Sequence, residues 1–257
     1  YIWNRRVRQG AAHTRTASER DFQQPLQVVD PRGWLGQSVH GQRILCLAAG
    51  GGLQSVLLAS AGAEVTVVDL SPAMLEQDRR QAASRGLTLR LLEGSMDDLS
   101  MLGDACFDVV VQPVSTCYVP DIVQVYKEIA RVTVASGLYV SQHKQPANLQ
   151  ASAQPGPQGY AINEAYYRQG PLPPELAGYE HRESGTFEFL HRWEQLIGGL
   201  CRSGFVIEDL QEPNYADPMA AVGTFQHRSQ FIPPYVAIKA RRCPTSPDVT
   251  AASLVRA

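Results

Sequence analysis

No apolar run in this 257-residue chain approaches the roughly 18 residues that a membrane-spanning helix needs, so no transmembrane helix is expected. Cysteine is scarce and scattered, at Cys46, Cys106, Cys117, Cys201 and Cys243. An odd count without a C-x-x-C pair argues against a disulfide framework or a zinc site, and for free thiols in a reducing compartment. Cys46 and Cys201 stand among apolar neighbours and read as small core residues. A basic excess is also missing. The 23 Lys and Arg are set against 25 Asp and Glu, for a net charge of −2, which argues against a nucleic-acid binder held by phosphate neutralisation. No Gly-x-Ser-x-Gly elbow occurs, and no carboxylate cluster has metal-ligand spacing, so neither a serine nucleophile nor a catalytic metal is expected. No secretory signal pattern is visible, and a cytoplasmic location is the expectation.

What is present is ordinary for a globular enzyme: 44% hydrophobic and 19% charged residues, enough for a substantial core. The informative stretch runs from Arg43 to Asp69. Ile44 to Leu47 is a short apolar run suited to a buried strand. Gly50, Gly51 and Gly52 follow. Val56, Leu57, Leu58 and Ala61 then suit a short helix, with Gly62 at its left-handed end. A second apolar run, Val65 to Val68, closes on the carboxylate of Asp69. Glycine lets a ligand approach the backbone closely, and an acid at the tip of the second strand can accept both hydroxyls of a ribose. This unit predicts a nucleoside-containing cofactor lying across the carboxyl ends of parallel strands.

Leu45-Cys46-Leu47-Ala48-Ala49-Gly50-Gly51-Gly52, with Asp69 behind it, resembles the glycine motif of the class I S-adenosylmethionine-dependent methyltransferases, in particular their small-molecule, type 11-like branch. Phe107-Asp108-Val109-Val110, Val119-Pro120-Asp121, Ala130-Arg131-Val132 and Ser136-Gly137-Leu138 match that family's fourth strand, helix and fifth strand in order and spacing. Two departures stand out: Cys46 occupies the place of a usual acid, and Ala48 that of a usual glycine. The resemblance covers Gly41 to about Ala240. It implies an α/β, Rossmann-like, seven-stranded and mostly parallel sheet with helices on both faces and an antiparallel last strand. It also implies S-adenosylmethionine as cofactor, with S-adenosylhomocysteine as product. The residues it puts on the cofactor are Ala48, Gly50, Gly52, Asp69, Leu70, Ser95, Met96, Asp97, Gln112 and Trp3.

Along the rest of the chain, residues 1–40 read as a polar arm with Trp3, Phe22 and Trp34 as anchors and arginines at 5, 6, 8, 15 and 20. The arm is either a solvated helix or a lid. In the resembled family such a lid would put Trp3 near the sulfonium, with His13 or Arg5 at the methionine carboxylate. Ser71 and Pro72 start a helix to Arg85, with Met74, Leu75, Ala82 and Ala83 apolar and Gln77 to Arg80 on the polar face. Leu87, Leu89 and Leu91 mark the third strand. Ser95, Met96 and Asp97 then fall in the loop that meets adenine in the family, or else Asp97 and Asp98 simply cap a short helix. Phe107 to Gln112 is the fourth strand, and Gln112 to Tyr118 should line the cofactor. Leu138 to Ser141 is the fifth, delivering Gln142 and His143 to the rim. Pro146 to Pro174, with Tyr160, Tyr166 and Tyr167, reads as a substrate loop rather than a linker. Phe187 to Leu190 is a candidate small strand. Phe205 to Leu210 and Tyr235 to Ala240 are the last two strands, and Thr245 onward is a frayed tail. The units are therefore a lid arm (1–40), a cofactor core (41–146 and 191–240), a substrate cap (147–190) and a tail (241–257).

Methyl transfer from a sulfonium is an in-line displacement, and alignment alone can supply about 7–11 kcal/mol. A hydroxyl acceptor would also need a base. His143 is the first candidate, at a strand end and of suitable pKa class, with a structural histidine as the plain alternative. Tyr118 is a further candidate; His181 and His227 are weaker, and His191, at the start of a helix, is more simply structural. The acceptor is expected to be a small molecule, medium-sized and partly aromatic or apolar. Two other functions compete. An NAD-dependent oxidoreductase would use the same Gly50, Gly52 and Asp69, but Ser55 replaces the third fingerprint glycine and no Tyr-x-x-x-Lys is present. A non-catalytic S-adenosylmethionine-binding protein would fit the loss of the acid at Cys46.

Overall fold

The computed structural model describes residues 2–11, 14–174 and 181–244. His13 and the tail from Thr245 lie outside them. A helix α1 (Ile2–Arg8) and a short α2 (Pro25–Val29) precede β1 (Arg43–Leu47), α3 (Gln54–Ser60), β2 (Glu64–Asp69), α4 (Pro72–Ala83) and β3 (Leu89–Glu93). Next come β4 (Phe107–Gln112), α5 (Ile122–Val132), β5 (Thr133–Lys144) and α6 (Pro146–Gln150). A π-helical stretch, Glu194–Gly198, runs into α7 (Gly199–Arg202), followed by β6 (Phe205–Gln211), α8 (Phe225–Ser229) and β7 (Tyr235–Arg242).

These strands form one seven-stranded sheet in the order β3-β2-β1-β4-β5-β7-β6. The pairs from β3 to β5 are parallel, and β7 runs antiparallel to both its neighbours. The order reverses between β1 and β4. Such a switch point opens a crevice at the strands' carboxyl ends.

The apolar runs follow from burial on two faces. Alternate residues of β1 serve different layers: Leu45 and Leu47 pack with Ile122, Tyr126 and Ile129 of α5, while Ile44 and Cys46 pack with Leu58 and Leu75 from α3 and α4. Two helix N-caps are in place. Ser71 Oγ accepts from the Met74 N–H at 3.3 Å, and Asp121 Oδ1 accepts from Val123 and Gln124 N–H at 2.9 and 3.3 Å.

Several local expectations need correction. Phe187 to Leu190 is not a strand; its backbone is bonded across loops, with Leu172 N–H donating to Glu188 O and Phe189 N–H to Cys117 O, each at 2.7 Å. Asp97 and Asp98 sit in a turn and cap no helix. Cys201 is exposed, because the short α7 turns it away from the core that Leu200 fills. The fifth strand is longer than Leu138 to Ser141, running from Thr133 to Lys144 around a bulge opposite Phe107 and Val109. Within α4, Asp78 is completely buried and so cannot belong to a polar face.

Candidate active site

The elbow after β1 is built by its glycines and by two buried acids. A Cβ on Gly50 would lie 3.0 Å from both Asp69 Oδ2 and Met74 Cβ. One on Gly52 (φ +72°) would lie 2.8 Å from Gln81 Cγ and 3.1 Å from the Gln77 carbonyl. Gly50 N–H donates to Asp69 Oδ2 at 3.0 Å, and Ser71 N–H to Asp69 Oδ1 at 2.8 Å. Asp69, 9% exposed, keeps a second acceptor direction on each oxygen. Burial raises its pKa, opposed by those two N–H donors. Gly51 and Gly52 N–H donate to Asp78 Oδ2 and Oδ1, both at 2.9 Å, and Ser55 Oγ makes a further short bond to Oδ1. Burial pushes Asp78 up to about 6 despite these donors. Ala48 adopts φ +49°, where the resembled family has glycine, and donates its N–H to Val68 O at 2.8 Å.

A cavity of about 1260 Å³ opens beside this elbow, above the roughly 300–1000 Å³ usual for one small ligand. Of the ten residues that the resemblance puts on the cofactor, all but Gly52 border it: Ala48, Gly50, Asp69, Leu70, Ser95, Met96, Asp97, Gln112 and Trp3. Gly52 sits behind, shaping the turn and accepting from Ala17 N–H at 2.7 Å. Ser95 Oγ is bonded to the Asp97 carboxylate. Gln112 is clamped by Tyr139 (2.6 Å) and Ser115 (3.1 Å) and approaches Met96 Sδ at 3.3 Å.

Residues of the N-terminal arm border this space and bond to its edges. Asn4 Oδ1 accepts from Ser71 Oγ at 2.7 Å, Arg6 Nη2 donates to Ser184 O at 3.1 Å, and Trp3 meets Tyr118 edge-on at 5.9 Å. Arg5 lies against Gly185 and does not border the cavity, whereas Arg15 and Arg32 do.

His143 does not reach the cavity. It is fully buried, with Nδ1 on Thr116 Oγ1 and Nε2 on Ser141 Oγ, each at 2.8 Å, and its ring edge-on to Tyr126. Burial, and secondarily the nearby His191, push it down to about 3, so it stays neutral. The period-two alternation of β5 turns Gln142 toward the cavity and its neighbour His143 to the opposite face, against Tyr126 of α5. His191 is held by Thr116 O at 2.9 Å, and the helix begins after it. His181 is buried, and His227 pairs with Tyr160 at 2.8 Å.

Tyr118 does border the cavity. Burial lifts its phenol well above the ordinary range, and a hydrogen bond to Glu183 adds to that. Glu183 itself borders the cavity. Burial alone would raise it, but Lys144 and the bonds from Glu188, Lys144 and Tyr118 hold it below the ordinary carboxylate range.

The tyrosines of Pro146 to Pro174 are not at the site. Tyr166 OH accepts from Trp193 N–H at 3.1 Å, Tyr160 packs on His227 and Phe231, and Tyr167 is exposed. No residue from 146 to 174 borders the cavity. Arg228 instead ties this segment down through Ser152 O, Ala151 O and Asn148. The walls come from Glu183, Phe187, Tyr215, Phe225 and Tyr235. Tyr215 packs edge-on to both Phe225 and Tyr235 at 5.6 Å.

Asp78 and these aromatic walls are the residues that sequence reasoning missed. A signal for Asp78 existed: Met74, Asp78 and Ala82 are four residues apart and share one helix face, all three buried. The aromatics carry no such local signal.

Bound pyrophosphate in a dinucleotide site is met by glycine-turn N–H groups. Here those of Gly51 and Gly52 are already used by Asp78, which sets the elbow against NAD. A family model described as a methyltransferase domain matches residues 45–141. The uncharacterized methyltransferase YbaJ of Bacillus subtilis is 33% identical over 224 residues, 82% of this chain and 87% of its own length. An S-adenosylmethionine-dependent methyltransferase from Mesorhizobium loti superposes with a TM-score of 0.64 at 24% identity, over 80% of this chain and 93% of its own. A geranyl diphosphate methyltransferase solved in complex with S-adenosylmethionine does so with a TM-score of 0.59 at 18% identity, over 86% and 85%. The two structures share the fold, and the likeness to YbaJ carries the relationship further. This chain belongs to the class I S-adenosylmethionine-dependent methyltransferase family.

Proposed function

We propose that this enzyme transfers the methyl group of S-adenosylmethionine to a small-molecule acceptor by in-line displacement, within the cavity between the glycine elbow and the aromatic walls. The observation that carries the reading is the 3.0 Å bond from Gly50 N–H to Asp69 beside open space. It leaves a carboxylate with free lone pairs where a ribose would lie. Ser95, Met96 and Asp97 would meet adenine, and Ala48, Gly50 and Leu70 would follow the cofactor's length. Arg15 and Arg32, on the cavity wall, are better placed than Arg5 for the methionine carboxylate.

When bound, S-adenosylmethionine supplies a methyl group already activated on a sulfonium. The work left to the protein is alignment and exclusion of water. Residues 1–40 serve as the lid, 41–146 with 191–240 as the core, and 147–190 as a cap whose described residues reach the site through the segment Glu183 to Phe187. Trp3 and Tyr118 stand at the transfer end. Tyr118 keeps its proton and acts as a donor and a wall. Among the described cavity-lining residues none is a histidine, which favours an acceptor atom that is nucleophilic without a dedicated imidazole base. The aromatic walls favour a medium-sized, partly aromatic or apolar acceptor.

Titration calorimetry tests the cofactor: S-adenosylhomocysteine should bind at micromolar levels and NAD should give no heat, and the reverse result overturns the assignment. Tyr215→Ala tests the acceptor half. It should raise the acceptor KM while leaving cofactor affinity unchanged; a loss of cofactor affinity alone would place the aromatic trio wrongly.

A further inference from the structure

Asp78 is completely buried and does not border the cavity, yet it takes three donors from the segment that does. Its two oxygens hold consecutive N–H groups, Gly51 and Gly52, and also the hydroxyl of Ser55 in the first turn of α3. The neighbouring N–H, Gly50, is held by Asp69. Three successive peptide donors are thus fixed by two carboxylates on different elements, β2 and α4. With a second acid clamping its far side, the elbow has little freedom to tilt. β1 contributes no acid here. Cys46, completely buried within the electrostatic reach of Asp78, is an inert thiol whose pKa burial drives far up.

We propose that Asp78 is the positioning carboxylate of this cofactor site, holding Gly51, Gly52 and Ser55 in the shape that admits S-adenosylmethionine and so setting its affinity without touching it. The proposal rests on the methyl-donor reading of the cavity. A buried carboxylate is retained at a desolvation cost, and its geometry here matches loop donors rather than a cation. The Gly51 and Gly52 donors require two acceptor oxygens at once. Protonation, or replacement by an amide, turns one acceptor into a donor facing N–H groups, and the elbow loses half its clamp. The titratable groups facing Asp78 are Asp69 from β2 and Cys46 from β1, while the elbow and α3 present N–H and hydroxyl donors.

The test compares wild type, Asp78→Asn and Ser55→Ala by calorimetry with S-adenosylhomocysteine from pH 8 to pH 5.5, with thermal unfolding of each. At pH 8 Asp78→Asn should bind at least ten-fold more weakly, and Ser55→Ala a few-fold more weakly. The ratio of Asp78→Asn to wild type should shrink toward one as pH falls through about 6, where wild-type Asp78 takes up its proton. A role confined to stability would shift unfolding and leave a ratio that does not depend on pH. Amide exchange at Gly51 and Gly52 should also quicken in Asp78→Asn. Unchanged affinity in folded Asp78→Asn, or a ratio constant across the range, overturns the proposal. Should Asp78→Asn fail to fold, a wild-type affinity that is flat from pH 8 to pH 5.5 overturns it equally. If wild type itself binds no S-adenosylhomocysteine, the methyl-donor reading fails first, and the two failures are separable.

Discussion

Replacing Lys144 by Met should expose how the cap is joined to the core. Lys144 ends β5 with its side chain 1% exposed, and its ammonium donates to Glu183 Oε2 and Glu188 Oε1 at 2.6 Å each and to His181 O at 3.1 Å. Burial works against that charge, and the surrounding acids more than offset it, so its pKa is raised. Methionine keeps the length of the side chain and removes the cation. Two buried glutamates would then share Arg182, which reaches Glu188 Oε2 at 2.6 Å. Breaking a buried ion pair from one side costs about 3–5 kcal/mol, or a fall in thermal midpoint of about 6–20 °C at this chain length.

The pH dependence has a definite sign. In wild type the depressed Glu183 contributes stability above the ordinary carboxylate range and loses it as pH falls below that range. In the variant the glutamates relieve their repulsion by taking up protons, so its deficit should be larger at pH 8 than at pH 5. Urea unfolding at the two pH values measures this. A deficit below about 1 kcal/mol at pH 8, or one equal at both, would refute the ion-pair account of the cap's attachment.

Three further outcomes follow from single residues. Asp69→Ala should weaken S-adenosylhomocysteine binding by about 1–3 kcal/mol, since ribose hydroxyls and the Gly50 N–H lose a charged acceptor; unchanged affinity in calorimetry would remove Asp69 from the site. Ala48→Gly should raise stability by about 0.5–1 kcal/mol, because relief of an alanine at φ +49° outweighs the added chain entropy; a lower thermal midpoint would contradict that strain. His143→Ala should cost about 2–4 kcal/mol in denaturant unfolding through its lost bonds and volume. It should leave the pH profile of turnover of the folded enzyme unchanged, and a lost limb in that profile would return His143 to the chemistry.

The local code of the chain determined much of this molecule. Short apolar runs at 44–47, 65–68 and 107–112 must be buried on both faces, and that demands a parallel sheet under helices. The glycine triplet and the acid at the next strand's tip are within 20 residues of each other, so their meeting follows from one strand–turn–helix–strand unit. Ser71, Pro72 and Asp121 mark helix starts through bonds to their own neighbours.

The tertiary structure decided what depends on distant residues or on the direction of a single side chain. One residue along β5 separates Gln142 at the cavity from His143 beneath α5, and only the sheet's register fixes which face is which. Tyr160 and Tyr166 of the 146–174 segment satisfy their hydroxyls and rings against 193, 227 and 231. The walls come instead from 183–187 and from the crossover between β6 and β7. Where β1 carries Cys46 in place of the usual acid, Asp78 of α4 accepts the elbow's donors: folding needs an acceptor there, and the chain position from which it comes is settled by packing.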